Sequence, residues 1–379
     1  MRSLQVAELL ALDHEVILLV PEAPAGRPPA APVELPFRLE TYRRSSFVGA
    51  ASGVGRALVR GLPLQSGLFR NRDLKTHLSR LAPEADVAIL QLVRLARHLP
   101  DLGATPVVVD LVDSLALSTE RRSRLDHRAL RPALRWEARL LARWEARLVR
   151  EARAALVVSG RDREAIAEGL PAEAAARLHV VPLAVPAPAS ALPESRSGPP
   201  LLVVTGNLGY FPTSEGLLWF LAEVWPLLKA RRPELELLAA GDRAGARLRR
   251  SLAAAGAGLE ESPPELRPIL ERATAALAPM RGGAGQPMKV LEAWAGGVPV
   301  VATPWAAAGT TGRPGEDLLV AGDPEAWCRS IEALVDDAGL RRRIATAARR
   351  RLAADYSRHS VGRRLEMIVA EATARGRPT

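Results

Sequence analysis

The sequence has very few residues that could form disulfides or metal sites. It contains one cysteine, Cys328, in 379 residues, which excludes an intrachain disulfide and favours a reducing compartment. No Cys-x-x-Cys pair or histidine cluster has the spacing of a structural zinc site. Cys328 falls in an apolar helical stretch, so we predict that it is a small core residue.

Long apolar runs are also missing. No stretch approaches the ~20 apolar residues of a membrane-spanning helix, and Glu8 and Asp13 interrupt the N-terminal segment where a signal peptide would be apolar. We expect a cytoplasmic protein, either soluble or peripheral on the inner face of the membrane. The net charge of +10 predicts attraction to polyanions. The sequence shows no nucleic-acid-binding motif, so we do not expect a nucleic-acid partner.

Apolar residues make up 48% of the chain and occur in short runs that alternate with helical patterns. This alternation is typical of parallel sheets covered by helices. A Pro- and Ser-rich stretch at 186–200 has the composition of a linker. We predict an α/β protein with two doubly wound domains, 1–185 and 201–355, followed by a terminal helix at 356–379. The predicted strands are 16–20, 87–90, 106–110, 155–159, 201–205, 235–239 and 275–278, and the predicted helices of the second half are 214–230, 243–254, 323–336, 341–356 and 360–374.

The most informative segment is 281–303, which has the pattern of a glycine loop, a short helix and a buried strand. Pro287 suits the first helical position, and Gly296 and Gly297 suit the helix end. The apolar run 298–302 is typical of a strand covered on both faces. A glycine loop that opens a helix attracts phosphate through backbone N–H groups and the helix dipole.

Two charged residues of this helix lie on one face. Lys289 and Glu292 are three positions apart, so their side chains are neighbours. A cation beside a phosphate and a carboxylate beside sugar hydroxyls suit a nucleotide-sugar site.

Two segments are rich in basic residues. Segment 43–80 carries eight Lys and Arg and one acid, Asp73; either it meets anionic lipid or a lipid-linked phosphosugar, or it is a solvated segment. Segment 121–153 contains eleven arginines, with Trp136 and Trp144 eight residues apart. A surface helix with inward tryptophans is favoured there over a helix lying on a membrane.

Asp110, Asp113 and Ser114 follow a predicted strand of the first domain. Asp113 is a candidate for contacting acceptor hydroxyls or acting as a base. Capping of the following helix is the favoured interpretation of this group.

The segment 279–293 resembles the donor loop of group 1 (family 4) glycosyltransferases, and is most similar to the subgroup associated with bacterial exopolysaccharide synthesis. Three further stretches agree in order and spacing: 205–212, 240–242 and 315–325. The resemblance is good over about 200–360 and weaker before it.

This resemblance implies a GT-B fold, in which two Rossmann-like domains face each other across a cleft and the last helix crosses back to the first domain. The C-terminal domain would bind a nucleoside diphosphate sugar, with UDP or GDP, and the N-terminal domain a glycan or lipid-linked acceptor. The reaction would retain the anomeric configuration, require no metal and no cofactor, and serve bacterial surface polysaccharide synthesis.

The resemblance also implies residue roles. Arg281 and Lys289 would neutralise the diphosphate as catalytic residues, with Asp113 as a further catalytic candidate. Glu292 would hold the donor ribose. The remaining predicted donor-binding residues are Gly206, Asn207, Gly209, Gly241, Gly283, Gly285 and Gln286.

Several positions depart from the family pattern. Ala284 replaces a usual glutamate, and Asn207 and Thr213 occur where a basic pair is usual. The helical pattern at 2–12 precedes the first strand pattern, so we expect that the printed sequence lacks the family's first strand and glycine turn. Two alternative functions stay open: a nucleotide-sugar epimerase, and a catalytically degenerate nucleotide-binding or interaction protein.

Overall fold

A computed structural model describes residues 2–23, 34–44, 57, 61–69, 71–186 and 198–374. The chain divides into two compact units. The first unit comprises Met1–Ala184 and Arg358–Thr379, and the second comprises Val185–Ser357.

The described strands of the first unit form two parallel sheets, a pair β1-β2 and a four-stranded sheet in the order β3-β4-β5-β6. The strands are β1 (Ile17–Pro21), β2 (Arg38–Tyr42), β3 (Ala88–Gln91), β4 (Val107–Val112), β5 (Ala154–Val157) and β6 (Leu178–Val180). The sequence predicted one parallel sheet here. The difference arises because apolar runs specify strands but not their ladder partners.

Helices cover these sheets, and polar side chains cap several of them. Asn71, Ser114 and Ser159 each accept a hydrogen bond from a backbone N–H of the helix they precede, which satisfies an otherwise unpaired donor. The helices are α1 (Arg2–Leu10), α2 (Leu64–Leu68), α3 (Arg72–Leu81), α4 (Leu115–Leu125), α5 (Arg131–Glu151), α6 (Gly160–Ala167) and α7 (Ala172–Ala175), with short 3₁₀ turns at Ala82–Glu84, Ala96–Leu102 and Arg128–Leu130.

The core of the first unit lies on both faces of β4. Val107, Val109 and Leu111 belong to one buried apolar cluster, and Val108 belongs to another. Successive side chains of a strand point to opposite faces, so a continuous apolar run fills both layers. This pattern is why the run at 106–110 predicted a strand covered on both sides.

The second unit contains one parallel six-stranded sheet in the order β12-β11-β10-β7-β8-β9. Along β7, Leu202 and Val204 enter one buried cluster while Leu201 and Val203 enter the other. The strands are β7 (Leu201–Thr205), β8 (Glu236–Gly241), β9 (Gly258–Glu261), β10 (Ala275–Ala278), β11 (Val300–Ala302) and β12 (Leu319–Val320).

Helices lie between these strands in the chain, as expected for parallel connections. A π-helical segment, Phe220–Val224, separates α8 from α9, because Pro226 cannot donate the backbone hydrogen bond that a continuous α-helix needs. The helices are α8 (Phe211–Trp219), α9 (Trp225–Arg231), α10 (Ala246–Ala254), α11 (Arg267–Arg272), α12 (Met288–Ala295), α13 (Pro304–Ala307), α14 (Pro324–Asp336) and α15 (Ala338–Tyr356).

The last helix, α16 (Arg358–Ala374), belongs to the first unit. Its apolar face contributes Val361, Leu365 and Val369 to a buried cluster that also contains Leu9 of α1 and Leu156 of β5. The N-terminal and C-terminal helices of the chain therefore stabilise the same layer of the first unit.

The predicted strands 201–205 and 275–278 are confirmed to the residue. The single helix predicted over 214–230 begins earlier, at Phe211, and is interrupted by the π segment. The predicted helix at 243–254 begins only at Ala246, because Arg243 has a positive φ of 60° that no α-helix admits. Pro287 is the N-cap rather than the first helical residue.

Cys328 is fully buried in the second unit, as predicted. Within the described ranges, no helix combines the length and the apolar character needed to span a membrane.

Candidate functional site

The candidate site lies at the carboxyl edge of the sheet in the second unit. β7 and β10 are neighbours, and the chain proceeds from β7 towards β9 on one side and from β10 towards β12 on the other. Such a reversal of strand order leaves room for ligands beyond the strand ends. The loops that follow β7 and β10 contain six of the eight predicted donor-binding residues, whereas Gly241 ends β8 and Glu292 lies on α12.

Two glycines allow the ends of β7 and β8 to approach each other. Gly206 and Gly241 both have positive φ, 107° and 153°. A Cβ added at Gly241 would lie 1.7 Å from the carbonyl oxygen of Gly206, a separation that no side chain tolerates. Both were predicted as donor-binding residues, and their observed role is to bring the two turns into contact.

The turn 206–209 is held by its own polar side chain. Asn207 Oδ1 accepts a hydrogen bond of 3.0 Å from the N–H of Gly209. The backbone N–H groups of Leu208 and Gly209 also donate to the carbonyl oxygen of Asp242, at 2.8 and 3.3 Å. Asn207 therefore shapes this turn, and its predicted role in donor binding stays a prediction.

The glycine loop after β10 packs against the start of α8. Gly283 and Gly285 have φ of 93° and 77°, conformations that favour glycine. A Cβ at Gly283 would lie 3.0 Å from Pro212 and 3.5 Å from the hydroxyl of Tyr210. Gln286, at the end of the loop, donates a weak hydrogen bond of 3.6 Å to the Met288 sulfur.

Lys289 is a buried cation at the start of α12. Its Nζ donates to Thr213 Oγ1 over 2.9 Å, and the residue is only 8% exposed. Burial lowers the pKa of its ammonium to about 8, against the opposing attraction of Glu292. Among the described residues Thr213 is the one side chain that accepts from this three-donor group, so a buried cation has unused hydrogen-bonding capacity.

Glu292 lies one turn further along α12, as the spacing predicted. Burial raises the pKa of its carboxyl group above the ordinary value, and the Lys289 cation opposes this shift. The two residues are three positions apart on α12, so the i, i+3 relation places them on one face, but they form no ion pair within 4.0 Å among the described residues.

Arg281 lies at the start of the glycine loop and is fixed by two side chains of α8. Its guanidinium contacts Glu215 Oε1 at 3.2 Å and lies 5.2 Å from the centre of the Trp219 ring. Glu215 is partly buried, its Oε2 accepts no hydrogen bond from the described residues, and burial raises its pKa. The Arg281 side chain is 41% exposed, so it stays accessible from solvent.

The third catalytic candidate, Asp113, belongs to the first unit, at the end of β4. Ser114, not Asp113, caps α4, so the capping interpretation holds for the neighbour only. Burial and the nearby Asp162 carboxylate raise the pKa of Asp113 to about 6. The preceding Val112 has a φ of 69°, a strained conformation for a β-branched residue.

A second carboxyl group with a raised pKa, that of Glu145, interacts electrostatically with Asp113. Glu145 of α5 accepts from the Ser114 hydroxyl at 2.9 Å and from the Ala116 N–H at 3.0 Å. Burial raises its pKa to about 8. The sequence showed Glu145 only as part of an Arg-rich helix and gave no sign that it is buried.

The basic segment 43–80 is only partly described, since 45–56, 58–60 and 70 lie outside the described ranges, whereas 121–153 is described throughout. In 43–80, Lys75 pairs with Asp101 at 3.6 Å and Arg80 with Glu40 at 2.6 Å. In α5, Trp144 is buried as predicted, but Trp136 is 39% exposed, so the expectation of two inward tryptophans is wrong. Residue 136 falls outside the buried stripe because 3.6 residues a turn places positions eight apart about 80° apart.

Sequence reasoning missed Glu215 as the partner of Arg281, and it noted Thr213 only as a departure from the family pattern. Neither residue belongs to a motif, and each is more than sixty positions from its partner. Their helix begins beside the turn after β7, and this adjacency was the available signal. Within the described ranges, no group of three or more His, Cys, Asp and Glu side chains is arranged to hold a metal ion.

Comparison with known proteins agrees with this geometry. Residues 199–337 match the family model described as glycosyl transferases group 1. No curated protein sequence matches the chain.

Solved structures resemble the whole chain. Sucrose-phosphate synthase from Thermosynechococcus elongatus has a TM-score of 0.73 at 15% identity, covering 98% of this chain and 92% of that one. A glycosyltransferase from Rickettsia africae ESF-5 gives 0.64 at 12% identity, covering 98% and 93%. HepE of Anabaena in complex with UDP gives 0.61 at 13% identity, covering 93% and 99%. At these identities the likeness shows the fold, which is GT-B.

Proposed function

We propose that this chain, which carries a group 1 glycosyl transferase domain over residues 199–337, transfers a sugar from a nucleoside diphosphate sugar to a hydroxyl acceptor. The described part of the second unit supplies the donor site. The glycine loop, Lys289 and Glu292 all lie at the edge of the sheet where such a ligand binds in open α/β sheets.

One observation carries the proposal: the buried ammonium of Lys289. A buried cation is costly unless it is paired, and here its hydrogen-bond acceptor is a neutral hydroxyl, while the carboxylate of Glu292 attracts it without a direct ion pair. A diphosphate would supply the missing negative charge and acceptors. Such a ligand would account for a buried lysine with a lowered pKa beside the turn at Gly206.

The proposed mechanism is electrostatic assistance to the departing nucleotide. Negative charge grows on the diphosphate as the bond to the sugar breaks, so fixed cations stabilise the transition state more than the ground state. Lys289 and Arg281 are the proposed cations, aided by backbone amides of Gly283 and Gly285. Glu215 and Trp219 hold Arg281 in position, and Glu215 accepts a hydrogen bond from one guanidinium nitrogen, Nη1.

Glu292 is proposed to bind the ribose hydroxyls. HepE of Anabaena has been solved with UDP and with UDP-glucose, which makes UDP the first nucleotide to test, with GDP second. Retention of the anomeric configuration and independence of a metal are further proposals, supported by the sequence resemblance.

The acceptor is proposed to bind the first unit, with Asp113 as the candidate base. Its pKa of about 6 would allow it to accept a proton near neutral pH. A glycan or lipid-linked acceptor of bacterial surface polysaccharide synthesis, met at the inner face of the membrane, suits the basic segments 43–80 and 121–153.

The test is nucleotide binding followed by turnover. UDP at about 100 times its dissociation constant should stabilise the fold by about 2.7 kcal/mol. Glu292→Gln should weaken UDP binding roughly 10- to 100-fold, because hydrogen bonds to a charged group contribute about 1.5–3 kcal/mol. Glu271→Gln, an exposed carboxylate on α11 of the same unit, should bind like the wild type.

Failure of both UDP and GDP to bind the wild type would contradict the donor site. Release of UDP from UDP-glucose with an acceptor, in excess EDTA, would support a metal-independent transferase. Conversion of the sugar without any acceptor would instead favour the epimerase.

A further inference from the structure

Arg243, at the carboxyl edge of the same sheet, has an unfavourable backbone conformation. Its φ of 60° lies in the left-handed region, where a residue with a Cβ is uncommon and glycine is the usual choice. The residue follows β8 directly after Gly241 and Asp242. Such conformations persist where the surroundings impose them, and they cluster at functional sites.

The surroundings of Arg243 are the turn 206–209. A Cβ added at Gly209 would lie 2.7 Å from the Arg243 carbonyl oxygen and 2.9 Å from its Cβ. The neighbouring Asp242 carbonyl accepts two hydrogen bonds from the same turn. The two loops therefore interlock, and this contact fixes where the Arg243 side chain begins.

The same turn adjoins Lys289 at its other end. A Cβ added at Gly206 would lie 3.8 Å from Lys289 Cε. The turn thus adjoins the buried Lys289 side chain at Gly206, and the backbone and Cβ of the exposed Arg243 at Gly209. Lys289 contacts Thr213 and Arg281 contacts Glu215, whereas none of the ion pairs among the described residues includes Arg243.

We propose that Arg243 is a third cation of the donor site and binds the diphosphate from the Gly209 end of the turn, with Lys289 at the Gly206 end. The inference rests on the proposed function. It explains why an arginine occupies a position whose backbone favours glycine. The turn 206–209 carries the uncharged Asn207, and Arg243, which packs against this turn, supplies a positive charge beside it. Arg243 is a binding residue here, with no assigned part in bond breaking.

The test separates charge from backbone strain. In Arg243→Gly the strain and the cation are both removed, so the melting temperature should stay equal or rise while the Kd for UDP rises roughly 10- to 100-fold, the range for a charge-assisted hydrogen bond. Arg243→Asn, which tolerates the left-handed region, should show the same loss. Arg243→Lys should keep most of the affinity.

Arg250→Ala is the charge-matched control, since Arg250 is exposed on α10 and bonds only to the carbonyl of Ala246 among the described residues. It should bind UDP like the wild type. Wild-type affinity in both Arg243→Gly and Arg243→Asn would overturn the inference while leaving the proposed function intact. Equal losses for UDP and for uridine, which lacks phosphate, would overturn the phosphate assignment. If neither UDP nor GDP binds the wild type, both proposals fail together.

Discussion

Lys289 shows how one residue links burial to ligand binding. Its ammonium is removed from water, and the resulting pKa of about 8 means that the free protein loses this charge at mildly alkaline pH. A bound diphosphate favours the charged form and would raise the pKa again. Binding and protonation are therefore linked.

We predict that UDP affinity falls as the pH rises above about 8. In that range the nucleotide must bind together with a proton, so Kd should increase by up to about tenfold per pH unit until the pKa of the complex is reached. Calorimetric titrations between about pH 7 and pH 10 would measure this. A flat profile would remove Lys289 from the phosphate site, and Lys289→Met should give weak binding without the alkaline fall.

Glu145 shows the opposite behaviour in the first unit. Burial raises the pKa of its carboxyl group to about 8, so the folded state favours the protonated form. The contribution of this group to stability is therefore present at low pH and is lost as the pH rises from its ordinary value, 4.5, towards 8.

We expect Glu145→Gln to stabilise the first unit at alkaline pH relative to the wild type. The gain should be on the order of a few kcal/mol near pH 9 and should shrink near pH 5, where the wild-type carboxyl is largely protonated in the folded state. Hydrogen exchange of peptides from β4 and β5 would measure it at the two pH values. Glu151→Gln, exposed on the same helix, is the control; an equal effect of Glu145→Gln at both pH values would contradict the assigned titration.

At the scale of elements, the ends of β7 and β8 depend on the contact between Gly206 and Gly241. A strand pattern in the sequence gives no measure of how closely two strand ends approach. The sheet order decides it, because β7 pairs with β8 over five residues and brings the two turns together.

We predict that Gly241→Ala destabilises the second unit by about 3 kcal/mol or more, since it adds a steric overlap to a strained backbone. The matched control is Gly245→Ala, because a Cβ there would meet no atom within 4 Å and its φ is −72°. Thermal unfolding of the two variants would compare them. Equal melting temperatures would show that the two loops can separate at little cost.

Two short polar strands could not be recognised from the sequence. The segments β9 (Gly258–Glu261) and β2 (Arg38–Tyr42) carry charged or small residues and were not predicted, although each pairs in parallel with a more apolar strand that was predicted. Their pairing is imposed by the sheet edge beside them. Propensity alone therefore could not find them.

At the scale of the whole molecule, the C-terminal helix α16 belongs to the unit that contains the N-terminus. Its buried residues, with those of α1, close one layer of the first unit. The family resemblance implied that the final helix crosses back to the first domain. No property of its own sequence identified which unit it joins.

We expect a chain ended at Ser357 to lose stability in its first unit while its second unit unfolds as before. Limited proteolysis of the two units would measure this, with a chain ended at Ala374 as the control. Leu365→Ala should reproduce the effect at about 2–5 kcal/mol, whereas Met367→Ala, 66% exposed on the same helix, should be close to neutral. Unchanged protection of the first unit in the shortened chain would contradict this role for α16.

The sequence by itself determined the elements whose signal is local. The apolar runs at 201–205 and 275–278, the helix end at Gly296 and Gly297, and the shared face of Lys289 and Glu292 follow from side-chain periodicity within a few residues. The family resemblance added the placement of the donor loop, and the Arg281, Lys289 and Glu292 roles stay predictions until binding is measured.

Only the tertiary structure decided which distant groups meet. Lys289 contacts Thr213 across 76 positions, and Arg281 contacts Glu215 across 66. These partners, and the packing of Arg243 against Gly209, depend on the sheet order that places β10 and β8 on either side of β7. Periodicity fixes which face a side chain occupies, but burial, partner and pKa depend on the strand that lies next to it, and the sequence pattern carries no such information.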